Sequence, residues 1–130
     1  MKINFFIGYD PKEDIAYRVC KFSLLKRSSS NVNVLSLKLD ELISKKLYTR
    51  TIDPLASTQF TYTRFLVPKL MNYKGWAVFC DCDFIFLADV NDLIKSLDDS
   101  KAIYCVKHDY SPKEKHKMDG KIQSVYPRKN

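Results

Sequence analysis

Two aspartates, Asp81 and Asp83, interrupt an otherwise apolar run from Trp76 to Leu87, WAVFCDCDFIFL. An unpaired carboxylate is costly to bury, and two side by side also repel each other. A fold that hides this run must therefore give the pair a counter-ion, a metal or a place in water. In an extended segment residues i and i+2 project to the same side, so both carboxylates face one spot. Mg²⁺ or Mn²⁺ would resolve the conflict, since such ions take oxygen ligands, typically one or two carboxylates plus substrate phosphates. A polar hairpin turn, or pairing with Arg or Lys, would resolve it too. With about a dozen Asp in the chain, chance alone supplies roughly one D-x-D, so the apolar context carries the weight.

The rest of the chain reads as one α/β unit over residues 1–130. Ile3 to Ile7 is a short apolar run ended by Gly8, the pattern of a buried strand. Asp10 then suits an N-cap and Pro11 a first helical position, while Glu13 and Asp14 add negative charge at the positive end of the helix dipole. Ile15, Val19 and Phe22 follow at helical spacing, and this helix is expected to reach about Ser28. A strand over Val32 to Leu39, a short helix from Asp40 to Lys46 and a polar loop from Leu47 to Ser57 come next. Ser57 or Thr58 caps a further helix, with Pro68 imposing a kink or a late restart. Trp76 to Cys80 reads as strand, Val90 to Leu97 as helix and Ala102 to Val106 as strand. A basic loop from His108 to Lys121 and a short strand from Ile122 to Val125 complete the chain. Strands alternating with helices imply crossover connections, hence a mostly parallel, Rossmann-like sheet with helices on both faces. In such sheets ligands sit beyond the carboxyl ends of the strands, where Asp81 and Asp83 would lie.

Composition narrows the class. At 130 residues about two thirds of the unfolded surface can be buried, and 45% hydrophobic content is ample for a core. The apolar start of MKINFFIGYD is too short for a secretory signal and no run approaches a membrane span, so a cytoplasmic location is expected. Cys20, Cys80, Cys82 and Cys105 fit no zinc-knuckle spacing and read as buried, reduced thiols. His108 and His116 read as loop histidines. The net charge of +7 favours anionic partners, but its spread along the chain identifies none. No aromatic-basic motif of RNA-binding type is present, and no nucleic-acid partner is expected.

The stretch TYTRFLVPKLMNYKGWAVFCDCDFIFLADVNDL resembles the signature of nucleotide-sugar glycosyltransferases with the GT-A fold, family 8 and related bacterial and phage proteins above all. There an R-F-L-x-P helix precedes an apolar strand, a D-x-D and a second apolar run. The strand that leads into Gly8-Tyr9-Asp10 also matches the start of such enzymes. The resemblance implies a nucleotide-binding half that takes a nucleotide-sugar donor, a UDP-sugar above all, with Mn²⁺ or Mg²⁺. By it Asp81 would contact the ribose side and the metal, and Asp83 the metal beneath the diphosphate. Tyr9 and Asp10 would meet the base, and Arg64 would lie near the diphosphate or the sugar. Asp10 as a plain helix cap, Tyr9 as a half-buried aromatic and Arg64 as partner of a surface carboxylate are the bland alternatives.

Members of that family are about twice as long, and their later segments supply a further metal-ligating His and the acceptor pocket. The chain is therefore expected to be the N-terminal half of such an enzyme. It would bind donor weakly and associate with itself through exposed apolar surface. No catalytic residue, acceptor or stereochemical outcome is assigned. Two rival readings are a nucleotidyltransferase and a non-catalytic basic binding module. The first usually opens with a Gly-rich phosphate loop, which GYDPKED is not. The second leaves two carboxylates in an apolar strand without a reason.

Overall fold

The first strand, β1 (Ile3–Gly8), lies between two others, and this placement explains its composition. It pairs in parallel with β2 (Val32–Leu37) on one edge and with β3 (Ala77–Cys80) on the other, giving the order β2-β1-β3. Strands buried on both faces are near-continuous apolar runs, and INFFIG is one. Its single polar residue, Asn4, accepts a hydrogen bond from Asn33 Nδ2 on β2 at 2.8 Å. This computed structural model describes residues 3–106 together with residues 113, 115, 116, 120 and 122. The chain divides into two compact units, Met1–Leu97 and Asp98–Asn130.

Alternation along β1 sorts the core into two layers. Ile3, Phe5 and Ile7 pack with Cys20 and Leu24 of α1 (Asp14–Arg27) and with Val90 of α4 (Val90–Lys95). Phe6 faces the other way, towards Leu42 of α2 (Leu39–Ser44) and Val67 of α3 (Val67–Leu70). The α/β class, the parallel sheet and helices on both faces thus stand as expected. Among the described residues no helix is long and apolar enough to cross a membrane.

Local chemistry sets the helix ends. Asp10 caps a 3-10 turn, Pro11–Glu13, and α1 follows only from Asp14. Pro68 sits in the first turn of α3, where its missing N–H is harmless. A 3-10 turn, Thr63–Leu66, leads into it, so the expected helix from Ser57 begins late. Asp89 Oδ1 caps α4 by accepting from Asn91 N at 3.0 Å, and it also accepts from Ser29 N at 3.3 Å. Arg27 Nη1 donates to Leu87 O at 2.7 Å, so the end of α1 and the approach to α4 are held together.

The helix with Ile15, Val19 and Phe22 at helical spacing forms and ends at Arg27, but that stripe points away from the sheet and Ile15 is 80% exposed. The packed face of α1 is the one carrying Cys20 and Leu24. The expected strand over residues 102–106 is corrected: the segment is irregular, and Ile103 and Val106 are exposed. Cys105 is exposed rather than buried. Residues 123–125 of the last expected strand lie outside the described residues, as does His108, whereas Ile122 makes an isolated antiparallel bridge with His116.

Gly8 ends β1 under the buried ring of Phe60. A Cβ at this position would come within 2.6 Å of ring carbons of Phe60, itself only 3% exposed. Gly8→Ala is therefore expected to lower stability by about 1–3 kcal/mol through overpacking. Urea unfolding would measure it, and an unchanged midpoint would show that the ring moves aside freely.

Hydrogen bonds from Ser29 and Asn91 hold the Asp89 carboxyl at about 2, below its ordinary range. The bonded carboxylate thus adds stability above the unfolded pKa of ~3.9, and this contribution fades as pH falls towards the folded value. Asp89→Asn is expected to be less stable than wild type at pH 7, with the deficit closing between about pH 4 and pH 2. Urea midpoints across that range test it. A deficit independent of pH would assign the effect to cap shape alone.

Candidate functional site at the carboxyl ends of two strands

β1 and β3 run side by side with Ile7 opposite Cys80, so their carboxyl ends bring Gly8-Tyr9-Asp10 beside Asp81-Cys82-Asp83. From β1 the chain goes first to one edge of the sheet and later to the other. Parallel sheets form a ligand crevice at such a switch.

Asp81 follows the last residue of β3 directly. Its Oδ1 is sealed from solvent and receives no hydrogen bond. Arg64 Nη2 lies 3.2 Å from that oxygen, an ion pair without hydrogen-bond alignment. Burial pushes the Asp81 carboxyl above its usual range, Arg64 pulls it down, and the charges of Asp83 and Glu13 push it up again. Asp83 is exposed. The pair is thus asymmetric, with one carboxylate half-buried against an Arg and the other open to water.

Arg64 is held from several sides. Its Nε donates to Phe60 O at 3.2 Å, and its guanidinium carbon lies 5.6 Å and 5.0 Å from the ring centroids of Phe60 and Phe79. The ring of Phe60 that excludes a side chain at Gly8 therefore also backs Arg64.

Cys82, between the two aspartates, is fully buried and donates from Sγ to Glu13 Oε2 at 2.8 Å. Burial, with Glu13 second, raises this thiol to about 12, so it stays protonated and can donate. Cys80 is likewise pushed up, first by its hydrogen bond with Cys20 and then by burial. Glu13 had a role in the sequence only as helix-dipole charge. Its contact with a residue 69 positions away leaves no local signal.

Asp10 is buried and both its oxygens are taken by backbone amides, Lys12 N at 3.0 Å and Gln59 N at 3.1 Å. It is both cap and tie, fixing the loop around Gln59 to the end of β1. It also lines a cleft of about 190 Å³ with Lys12, Asp53, Gln59 and Tyr62. That is below the roughly 300–1,000 Å³ of a pocket for a whole drug-sized ligand, so it suits one part of such a molecule. Tyr62 Oη donates to Asp53 Oδ2 at 2.8 Å, and Arg50 lies 4.1 Å above the Tyr62 ring. Tyr9 is engaged elsewhere: its hydroxyl donates to Asp14 Oδ1 at 3.0 Å and its ring meets Tyr17 edge-on at 5.2 Å. The structure therefore brings Arg64, Asp81 and Asp83 together, sets Asp10 in the adjoining cleft, and turns Tyr9 towards α1.

The oxygens that could meet a hard divalent cation come from Asp81 and Asp83. Asp81 Oδ1 takes no hydrogen bond but lies 3.2 Å from Arg64, and the Asp83 carboxylate is exposed. Among the described residues no group of three His, Cys, Asp or Glu side chains is arranged to hold a metal ion. Two carboxylates with water and phosphate oxygens are the usual environment of Mg²⁺.

Over 125 residues the chain is 54% identical to Protein CDI of Arabidopsis thaliana. That match takes in 96% of this chain and 48% of the relative, so the chain spans about half the length of the curated relative it matches. No family model matches the chain, and no solved structure does.

Proposed function

We propose that this chain is the donor-binding part of a metal-dependent glycosyltransferase, using a nucleoside-diphosphate sugar and Mn²⁺ or Mg²⁺. The observation that carries the reading is the solvent-sealed Oδ1 of Asp81, which takes no hydrogen bond and is met by Arg64 at 3.2 Å, set with Asp83 just beyond the carboxyl end of β3. A half-buried carboxylate paired with Arg64 beside an exposed one is an arrangement that a cation arriving with its ligand would complete. The resemblance of the R-F-L-x-P and D-x-D segments to family 8 glycosyltransferases supports the same assignment.

The geometry supports the following division of labour. Asp81 and Asp83 hold the cation, whose contribution when bound is to neutralise the charge of the departing nucleoside diphosphate. Arg64 adds positive charge on the same side, its reach limited by the Phe60 carbonyl and two aromatic rings. Asp10 keeps the loop of Gln59 closed on β1, shaping the cleft for the base or ribose. We assign the activity to the cytoplasm and leave the acceptor open. The apolar stripe exposed on α1 supports self-association.

Mn²⁺ plus UDP is expected to raise the melting temperature of the wild-type chain, since a ligand at a hundred times its Kd adds about 2.7 kcal/mol. Asp83→Ala should lose most of that shift, and EDTA should abolish it in the wild type. Equal shifts in wild type and variant, read by differential scanning fluorimetry, would overturn the assignment.

A further inference from the structure

We propose that Arg64 serves as the resident cation of Asp81 while no donor is bound, and releases it only when a diphosphate takes Arg64 in exchange. The proposal rests on the reading of Asp81 and Asp83 as the metal pair. It adds that metal and diphosphate are obliged to bind together. Three observations carry it. Oδ1 of Asp81 is sealed from solvent and takes no hydrogen bond, so Nη2 of Arg64 at 3.2 Å supplies its positive partner. Asp83, two residues on, and Glu13 add negative potential there, which the guanidinium offsets. Arg64 itself is fixed at Nε by Phe60 O and lies over two rings, which leaves the outer guanidinium free to change partner.

A divalent ion on Oδ1 would meet the guanidinium at the same oxygen, and the two cations repel each other. The ion alone must therefore evict Arg64 and leave it without a partner. A diphosphate arriving with the ion offers Arg64 phosphate oxygens, which a guanidinium fork binds well. Metal and diphosphate affinities are then coupled through this side chain, and linkage makes the coupling equal in both directions.

The experiment measures the Kd of Mn²⁺, from the free-Mn²⁺ paramagnetic resonance signal, without and with saturating UDP. It uses the metal-stripped chain as wild type, Arg64→Ala, Arg64→Gln, Arg64→Lys and Asp83→Ala. Arg64→Gln keeps more of the side-chain volume without the charge, so it reports should the alanine variant fail to fold. Removing the guanidinium should tighten Mn²⁺ alone by about three- to fivefold, the scale of a partly exposed ion pair. The same variants should lose roughly tenfold or more of the tightening that UDP produces, the scale of a charged hydrogen bond. Arg64→Lys, with the charge but not the planar fork, should behave as an intermediate.

If Mn²⁺ alone binds wild type and Arg64→Gln equally, yet Asp83→Ala weakens it, the exchange is wrong and the carboxylate site stands. If Arg64→Lys matches wild type throughout, general positive charge rather than the seated guanidinium sets the affinity, and the proposal fails. If Mn²⁺ binding is absent or indifferent to Asp83→Ala, the metal reading and the exchange fall together.

Discussion

The structure depends on β1 being confined on four sides. Both its edges are hydrogen-bonded and both its faces are covered, so every side chain from Ile3 to Ile7 has a fixed surrounding. Confinement dictates the apolar sequence, and alternation then decides which helix packs on which face. It also decides where the strand stops, because Gly8 leaves the room that Phe60 fills. Through Phe60 the constraint reaches Arg64, and through Arg64 the carboxylate of Asp81. Core packing and site electrostatics are in this sense consecutive links of one chain of contacts.

The carboxylate end of the sheet is where burial and charge conflict. Apolar β3 before the Asp81-Cys82-Asp83 turn, and Phe86 after it, draw the segment inward, while two negative charges resist and Phe84, Ile85 and Leu87 stay exposed. The conflict is relieved unevenly: Cys82 goes fully inside, Asp83 stays outside, and Asp81 is caught between them with an arginine alongside. A protonated thiol bonded to Glu13 ties the middle of the turn to the start of α1. The turn is thus anchored by the residue that carries no charge, while Oδ1 of Asp81 takes no hydrogen bond among the described residues.

What the sequence disclosed and what it hid divide along physical lines. Strands β1 and β3 were legible as short apolar runs ended by Gly8 and Asp81, and β2 from its alternation, though it ends at Leu37 rather than Leu39; parallel pairing follows from the intervening helices. Asp81 and Asp83 were legible from their surroundings. The face of α1 was not, because the helix carries two apolar stripes and spacing alone does not say which meets the sheet. Residues 102–106 look like a strand by composition, yet the segment is irregular and Ile103 and Val106 face solvent, where apolar β-formers have no surface to pack on. Asp10 was legible as a cap, yet its bond to Gln59 was not, nor was the approach of Glu13 to Cys82, since both contacts bridge about fifty positions or more.

The distribution of thiols gives the molecule a built-in clock. Cys20, Cys80 and Cys82 are buried in the layer beneath α1, and Cys105 is exposed. A small alkylating reagent meets Cys105 at its intrinsic rate, but reaches the other three only when that layer opens. Two of those three flank Asp81, so the rate at which they become reactive times the opening of the sheet beside the carboxylates. A cation holding Asp81 and Asp83 together would slow that clock without touching Cys105, and the occupancy of the site becomes readable from sulfur chemistry alone.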